Sequence, residues 1–330
     1  MKKEIILTCE PFVNFTSHLL GVAQIGYKSE YSEIYQYTVI PEDIKYLQEK
    51  ITLLKWGNGL FGSLTWILIF FPNYLNLKNK AEMVEYFQLL NDALEQKSFN
   101  NFKTRYREAF ANLQNWLEPG INSELFAYKT EIKRISEIYL NNYERFLSEV
   151  WPIEEKKIQA KIVILNQKLA KLDYIALWEK LTKLTFKYDR YEITLSSGIK
   201  NGPSANSLGY EKNWFYYDAD PDWLIKFLSH ETGTHILVDL IKEMMPSGEG
   251  NEVPADFQIW YNGYENLCSF YNQVVLKEAG LVHNYGMPEY DSESFMAIYE
   301  RLFSADSTIT AKKLFERGIS EYKRGLSAKR

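Results

Sequence analysis

The chain has 330 residues, of which 46% are hydrophobic and 15% aromatic. That is enough apolar material for one large domain or two intimate ones, and it excludes an intrinsically disordered chain. The formal net charge of −5 gives no reason to expect nucleic acid as a partner, and two distant cysteines, Cys9 and Cys268, exclude a disulfide scaffold or a cysteine-based zinc site.

The chain begins Met-Lys-Lys-Glu-Ile-Ile-Leu-Thr-Cys-Glu, a basic start whose apolar run is too short for a signal peptide. The most apolar stretch, Leu64 to Phe71, is too short to cross a bilayer and is expected to be a buried helix or strand. The expectation is a soluble, cytoplasmic protein with no membrane partner. His18 lies in an apolar stretch, which makes it a structural residue.

Residues 41–185 read mostly as helix. Asn79 with Glu82 three residues on has the form of a capping box, and Met83, Phe87, Leu90 and Leu94 follow at helical spacing. Helical pattern also fills 99–117 and 122–150. Pro152 marks a break, after which Ile158–Leu172 and Tyr174–Leu184 continue the helical character.

The pattern changes near residue 188. Tyr191 to Leu195 alternates and is rich in strand formers, and Gly198, Asn201, Gly202 and Pro203 mark a turn. Leu208 to Tyr217 reads as a second strand, open to pairing with an extended peptide by edge addition. Asp220-Pro221 then has the form of a helix start. A Gly- and Pro-rich loop separates this helix from another, about Ala255 to Ala279, closed by Gly280. Two more helices are expected at 291–303 and 308–325. The division is a mainly helical region, 1–186, before a catalytic region, 187–330.

The first of these late helices carries His230-Glu231-Thr232-Gly233-Thr234-His235, which holds two of the four histidines. Imidazole nitrogens bind Zn²⁺, and a carboxylate beside the metal can take a proton from zinc-bound water. Histidines four apart on a helix share a face, whereas five apart they diverge by roughly 140°. A single widened turn repairs this, and Gly233 would ease it because it lacks a Cβ.

A catalytic zinc needs a third protein ligand, with water in the fourth position. Glu265 is the leading candidate. It lies 30 residues after His235 (265 − 235) and borders the apolar face Tyr264, Leu267, Cys268, Tyr271 and Val275 of the next helix. Asp239, Glu252, Asp256 and Glu278 are rival ligands. With one zinc per chain on His230, His235 and Glu265, Glu231 serves as general base. His283, Tyr285 and Tyr290 are candidates to stabilise the oxyanion or touch substrate. The fold class is α+β, mostly helical: a zincin-like metallopeptidase domain with a small sheet and two metal-bearing helices.

The core His-Glu-Thr-Gly-Thr-His with Ile236-Leu237 resembles the His-Glu-Ile-Gly-Thr-His core of the tubulin-tyrosine carboxypeptidase-like metallopeptidases. Tyr264-Glu265-Asn266-Leu267-Cys268 stands where bacterial relatives have Gln-Glu-Gly-Leu-Ala, and it keeps the glutamate and the leucine. The resemblance covers roughly residues 190–275. It implies zinc on His230, His235 and Glu265, Glu231 as base, and a fold in which the five-residue spacing works. The family's glycine-rich C-terminal segment is absent. The reading is a zinc metallopeptidase acting on a peptide or protein, with C-terminal trimming as one form and Arg301 or Lys277 as the cation for a terminal carboxylate. The alternatives are a catalytically silent binding module on a peptidase fold and a zinc hydrolase of a non-peptide amide.

Overall fold

The computed structural model describes residues 3–57, 60–113, 121, 123–244, 256–281 and 290–328. The chain starts with strand β1 (Glu4–Thr8) and helices α1 (Pro11–Val22), α2 (Glu30–Tyr35), α3 (Pro41–Glu49) and α4 (Ile51–Leu54). A two-stranded ribbon follows, β2 (Trp56–Gly57) with β3 (Leu60–Phe61). Next come α5 (Phe71–Leu75), α6 (Lys80–Glu95), α7 (Asn100–Arg105), α8 (Arg107–Leu113), α9 (Lys129–Arg145), α10 (Trp151–Leu169) and α11 (Tyr174–Thr182). Strands β4 (Arg190–Ser196), β5 (Ala205–Ser207) and β6 (Lys212–Tyr216) precede α12 (Pro221–Met244), α13 (Phe257–Glu278), α14 (Ser292–Ala305) and α15 (Ala311–Ala328). The class is α+β and mostly helical, with a small mixed sheet. Among the described residues no helix is long and apolar enough to cross a membrane.

These elements form two compact units. One comprises Ile6–Ile164 and Tyr191–Ala219; the other comprises Met1–Ile5, Leu165–Arg190 and Asp220–Arg330. This spatial division does not follow the cut expected at residue 186. Helix α11 packs with the histidine-bearing helix, while the strands just before that helix belong to the other unit. Sequential adjacency says little about packing when a chain crosses between units this often.

The strand order in the four-stranded sheet is β1-β4-β6-β5. Strand β4 runs parallel to β6 with Thr194 opposite Trp214, and β5 pairs antiparallel with β6. The strand expected at 208–217 is therefore shorter, and it is interior. Residues 208–211 form the hairpin turn, where the Leu208 and Gly209 amides donate to the Lys212 carbonyl at 3.0 and 3.2 Å. With neighbours on both sides β6 has no free edge, which corrects the expectation of edge addition there. Trp214 and Phe215 are core residues. Helices α1, α6 and α9 contribute Phe12, Phe15, Tyr86, Phe87, Ile132 and Tyr139 to the core. The cap of α6 is as expected: the Glu82 amide donates to Asn79 Oδ1 at 3.0 Å, and Met83, Phe87, Leu90 and Leu94 are buried.

Widened helical turns do occur, but not around Gly233. They lie at Trp66–Phe70 and Phe146–Val150. In each the next residue's amide reaches back five positions, Phe71 to Trp66 and Trp151 to Phe146, and a proline follows directly at 72 and 152. Proline has no N–H and its ring collides with the carbonyl four residues back, so a wider turn just before it relieves both problems. Pro152 therefore does not break the helix; α9, the wide turn and α10 are continuous.

The motif-bearing unit is built from α11 to α15. Asp220 Oδ1 accepts from the amides of Asp222 and Trp223, both at 2.9 Å, and starts α12 as the sequence suggests. Helix α13 ends with Gly280 at φ +70°. The Leu281 amide donates to the Leu276 carbonyl and the Gly280 amide to that of Lys277, the pattern of a left-handed helix stop. Trp178, Leu267, Tyr271, Phe295, Tyr299, Leu314 and Phe315 fill its core.

Candidate metal centre

Helices α12 and α13 pack along their length and bring His230 to Glu265. His230 Nε2 lies 3.3 Å from Glu265 Oε2, with the imidazole 1% and the carboxylate 12% exposed. A carboxylate this deeply placed needs a partner, because burying a bare charge is costly. Residues Tyr261, Tyr264, Glu265 and Cys268 form one stripe of α13 at spacings of three and four. Glu231 and Glu265 both act on that stripe. Burial pushes up the Tyr261 and Tyr264 hydroxyls and the Cys268 thiol, and the two carboxylates push them further. Glu231, partly exposed, and Glu265 therefore both act electrostatically on the same stripe. Glu231 is held at its own helix, where Thr234 Oγ1 donates to the Glu231 carbonyl at 2.8 Å and approaches its carboxylate at 3.4 Å.

The His230–Glu265 separation suits two ligands of one zinc ion. With zinc–ligand bonds of about 2.0–2.2 Å and tetrahedral geometry, two donors stand roughly 3.3–3.5 Å apart. His235 does not complete the set in this structure. Helix α12 is α-helical throughout, so His235, 4% exposed, lies roughly 140° around the axis from His230. Among the described residues no three His, Cys, Asp or Glu side chains are placed to hold an ion together. The expected widened turn at Gly233 is thus absent. The fit to zinc covers two of the three expected ligands.

Gly233 has a different role here. A Cβ at this position would lie 2.2 Å from Trp178 Cη2 and 2.3 Å from Cζ2. The Trp178 indole of α11 approaches the helix backbone at Gly233 and donates from Nε1 to Ser229 Oγ at 3.1 Å. Glycine is required by close approach, not by a bend. Nothing near residue 233 in sequence announces a tryptophan 55 positions upstream (233 − 178).

The other candidates separate clearly. Asp239 pairs with Lys187, and Asp256 with Lys323 at 2.5 Å. Glu278 is exposed near the end of α13. Glu252, His283 and Tyr285 lie outside the described residues. Tyr290 is close to the centre: its carbonyl accepts from Asn266 Nδ2 at 2.8 Å and its ring stands edge-on to Tyr261 at 5.8 Å. Arg301 pairs with Glu321, which occupies it as a cation for substrate. His18 belongs to the sheet-bearing core, where Nδ1 meets Tyr31 Oη and Nε2 meets Thr38 Oγ1, both at 3.0 Å. Tyr261, beside both carboxylates, is the site residue that sequence reading missed. Its position four before Glu265 was the available signal.

No family model matches the chain, and no curated protein or solved structure is significantly similar to it.

Proposed function

We propose that the chain is a zincin-like, zinc-dependent metallopeptidase whose centre is built on His230, Glu231 and Glu265. The observation that carries this is the buried His230–Glu265 pair, separated by the ligand–ligand edge of a tetrahedral zinc site, with Glu231 beside it. The resemblance of the His-Glu-Thr-Gly-Thr-His core to the tubulin-tyrosine carboxypeptidase-like enzymes points the same way. A bound zinc ion would supply Lewis acidity and a water acidified to a pKa of about 7. His230 and Glu265 are the residues that would hold it, and His235 joins them only with a wider turn in α12. Glu231 takes the proton of the attacking water on its carboxylate and returns it to the leaving amine. Tyr261, beside Glu265, and Tyr290, edge-on to the Tyr261 ring, are the phenols assigned in this reading to steady the developing oxyanion. The substrate class is a peptide or protein.

A second reading follows from the regular α12: a catalytically silent module that binds peptides and leaves His235 out of any metal site. One experiment separates the two. Zinc per purified chain is measured for the wild type and Glu265→Gln, and peptide hydrolysis for the wild type and Glu231→Gln. The enzymatic reading expects one zinc per chain, loss of that zinc with Glu265→Gln, and zinc kept without hydrolysis in Glu231→Gln. A wild-type chain that carries no zinc after loading, or Glu231→Gln with full hydrolysis, defeats it. Peptide binding without cleavage by the zinc-loaded wild type supports the module.

A further inference from the structure

A cavity lies in the motif-bearing unit, walled by α11, α13 and α14. It has a volume of about 210 Å³ and is lined by Leu177, Leu181, Val274, Val275 and Phe303, with Lys180, Lys183 and Glu278 among the polar lining groups. The volume is below the roughly 300–1,000 Å³ of pockets for drug-sized molecules, so it suits a short chain or a single ring. Its apolar walls offer dispersion contacts. Lys180 and Lys183 are exposed, and neither ammonium has an ion-pair partner among the described residues. Two uncommitted cations against one acid leave the polar side of the cavity net positive.

We propose that this cavity is a binding site for a small amphiphilic carboxylate, with the alkyl or aryl body among Leu177, Leu181, Val274 and Phe303 and the carboxylate at Lys180 and Lys183. The apolar body supplies most of the affinity by leaving water, and the lysines select the head group. A neutral or cationic amphiphile with the same tail gains the first contribution and forgoes or opposes the second. The site does not depend on the metal reading. One wall is α11, the helix that also carries Trp178 onto Gly233.

The test is isothermal titration of the full chain, in a chelating buffer, with monomeric octanoate, octanol and octylamine. Octanoate should bind one per chain and octylamine about tenfold or more weaker. The double variant Lys180→Ala/Lys183→Ala should lower octanoate affinity by about tenfold, the sum of two exposed ion pairs, and leave octanol unchanged. Val274→Trp, a half-buried position on the wall, should abolish binding of all three while circular dichroism shows an intact fold. Octylamine binding as tightly as octanoate overturns the proposal. So does octanoate binding that ignores the lysine substitutions or the tryptophan, and so does the absence of octanoate binding by the wild type.

Discussion

Gly233→Ala gives the most direct reading of how the motif helix is held. The new Cβ falls 2.2 Å from Trp178 Cη2, against an optimum of about 3.5–4.0 Å between carbons, so the ring must retreat by more than about 1 Å. Trp178 is fully buried and packs against Tyr271 at 6.3 Å between centroids, so it has no open side. Overpacking of this kind costs about 1–3 kcal/mol, and loss of the Trp178–Ser229 hydrogen bond adds about 1 kcal/mol. Alanine returns about 1 kcal/mol through helix propensity. The net expectation is a loss of about 1–3 kcal/mol. Gly325, in α15 with nothing near a built Cβ, is the control, and Gly325→Ala should stabilise by up to about 1 kcal/mol. Trp178→Phe removes the indole's outer atoms, so Gly233→Ala in that background should cost less than about 1 kcal/mol, a coupling of about 2 kcal/mol. Urea unfolding of the four combinations in a chelating buffer, followed by far-ultraviolet circular dichroism, measures this. If Gly233→Ala is as stable as the wild type, or the cost is the same with phenylalanine at 178, the close-approach argument is wrong and a hinge role for Gly233 returns.

Three further outcomes are expected. Burial holds the His18 imidazole at a pKa of about 3, against an ordinary 6.5, so between those values the unfolded chain takes a proton that the folded one refuses. Stability from this group is full above pH 6.5 and falls by about 1 kcal/mol per pH unit on acidification; His18→Gln should flatten the stability–pH curve between pH 6 and 5, and an unchanged slope there removes the claim. Asp220→Ala deletes both capping bonds of α12 and should lower stability by about 1 kcal/mol, with faster amide exchange confined to the first turn. Tyr264→Phe deletes the hydroxyl that donates to the Thr234 carbonyl at 2.5 Å and should cost about 1 kcal/mol without altering helix content.

Local chemistry was legible in the chain. Asn79 and Asp220 as caps, Gly280 as a helix stop, the periodic burial of α6 and the strand at 191–195 all rest on interactions among residues a few positions apart. That Glu265 would turn inward to a partner was also readable, because an acid beside an apolar helical face must find one; the structure brings it to 3.3 Å from His230. What the sequence left open was set by neighbours distant along the chain. Strand β6 became interior because β4 and β5 flank it. Gly233 is a seat for Trp178, and α12 is α-helical through the motif. The wide turns went to Pro72 and Pro152, where a missing N–H requires them, and not to the motif, where only a shared metal ion would. A spacing can state what a site needs, but the backbone conformation that meets the need is set by the sum of packing around it.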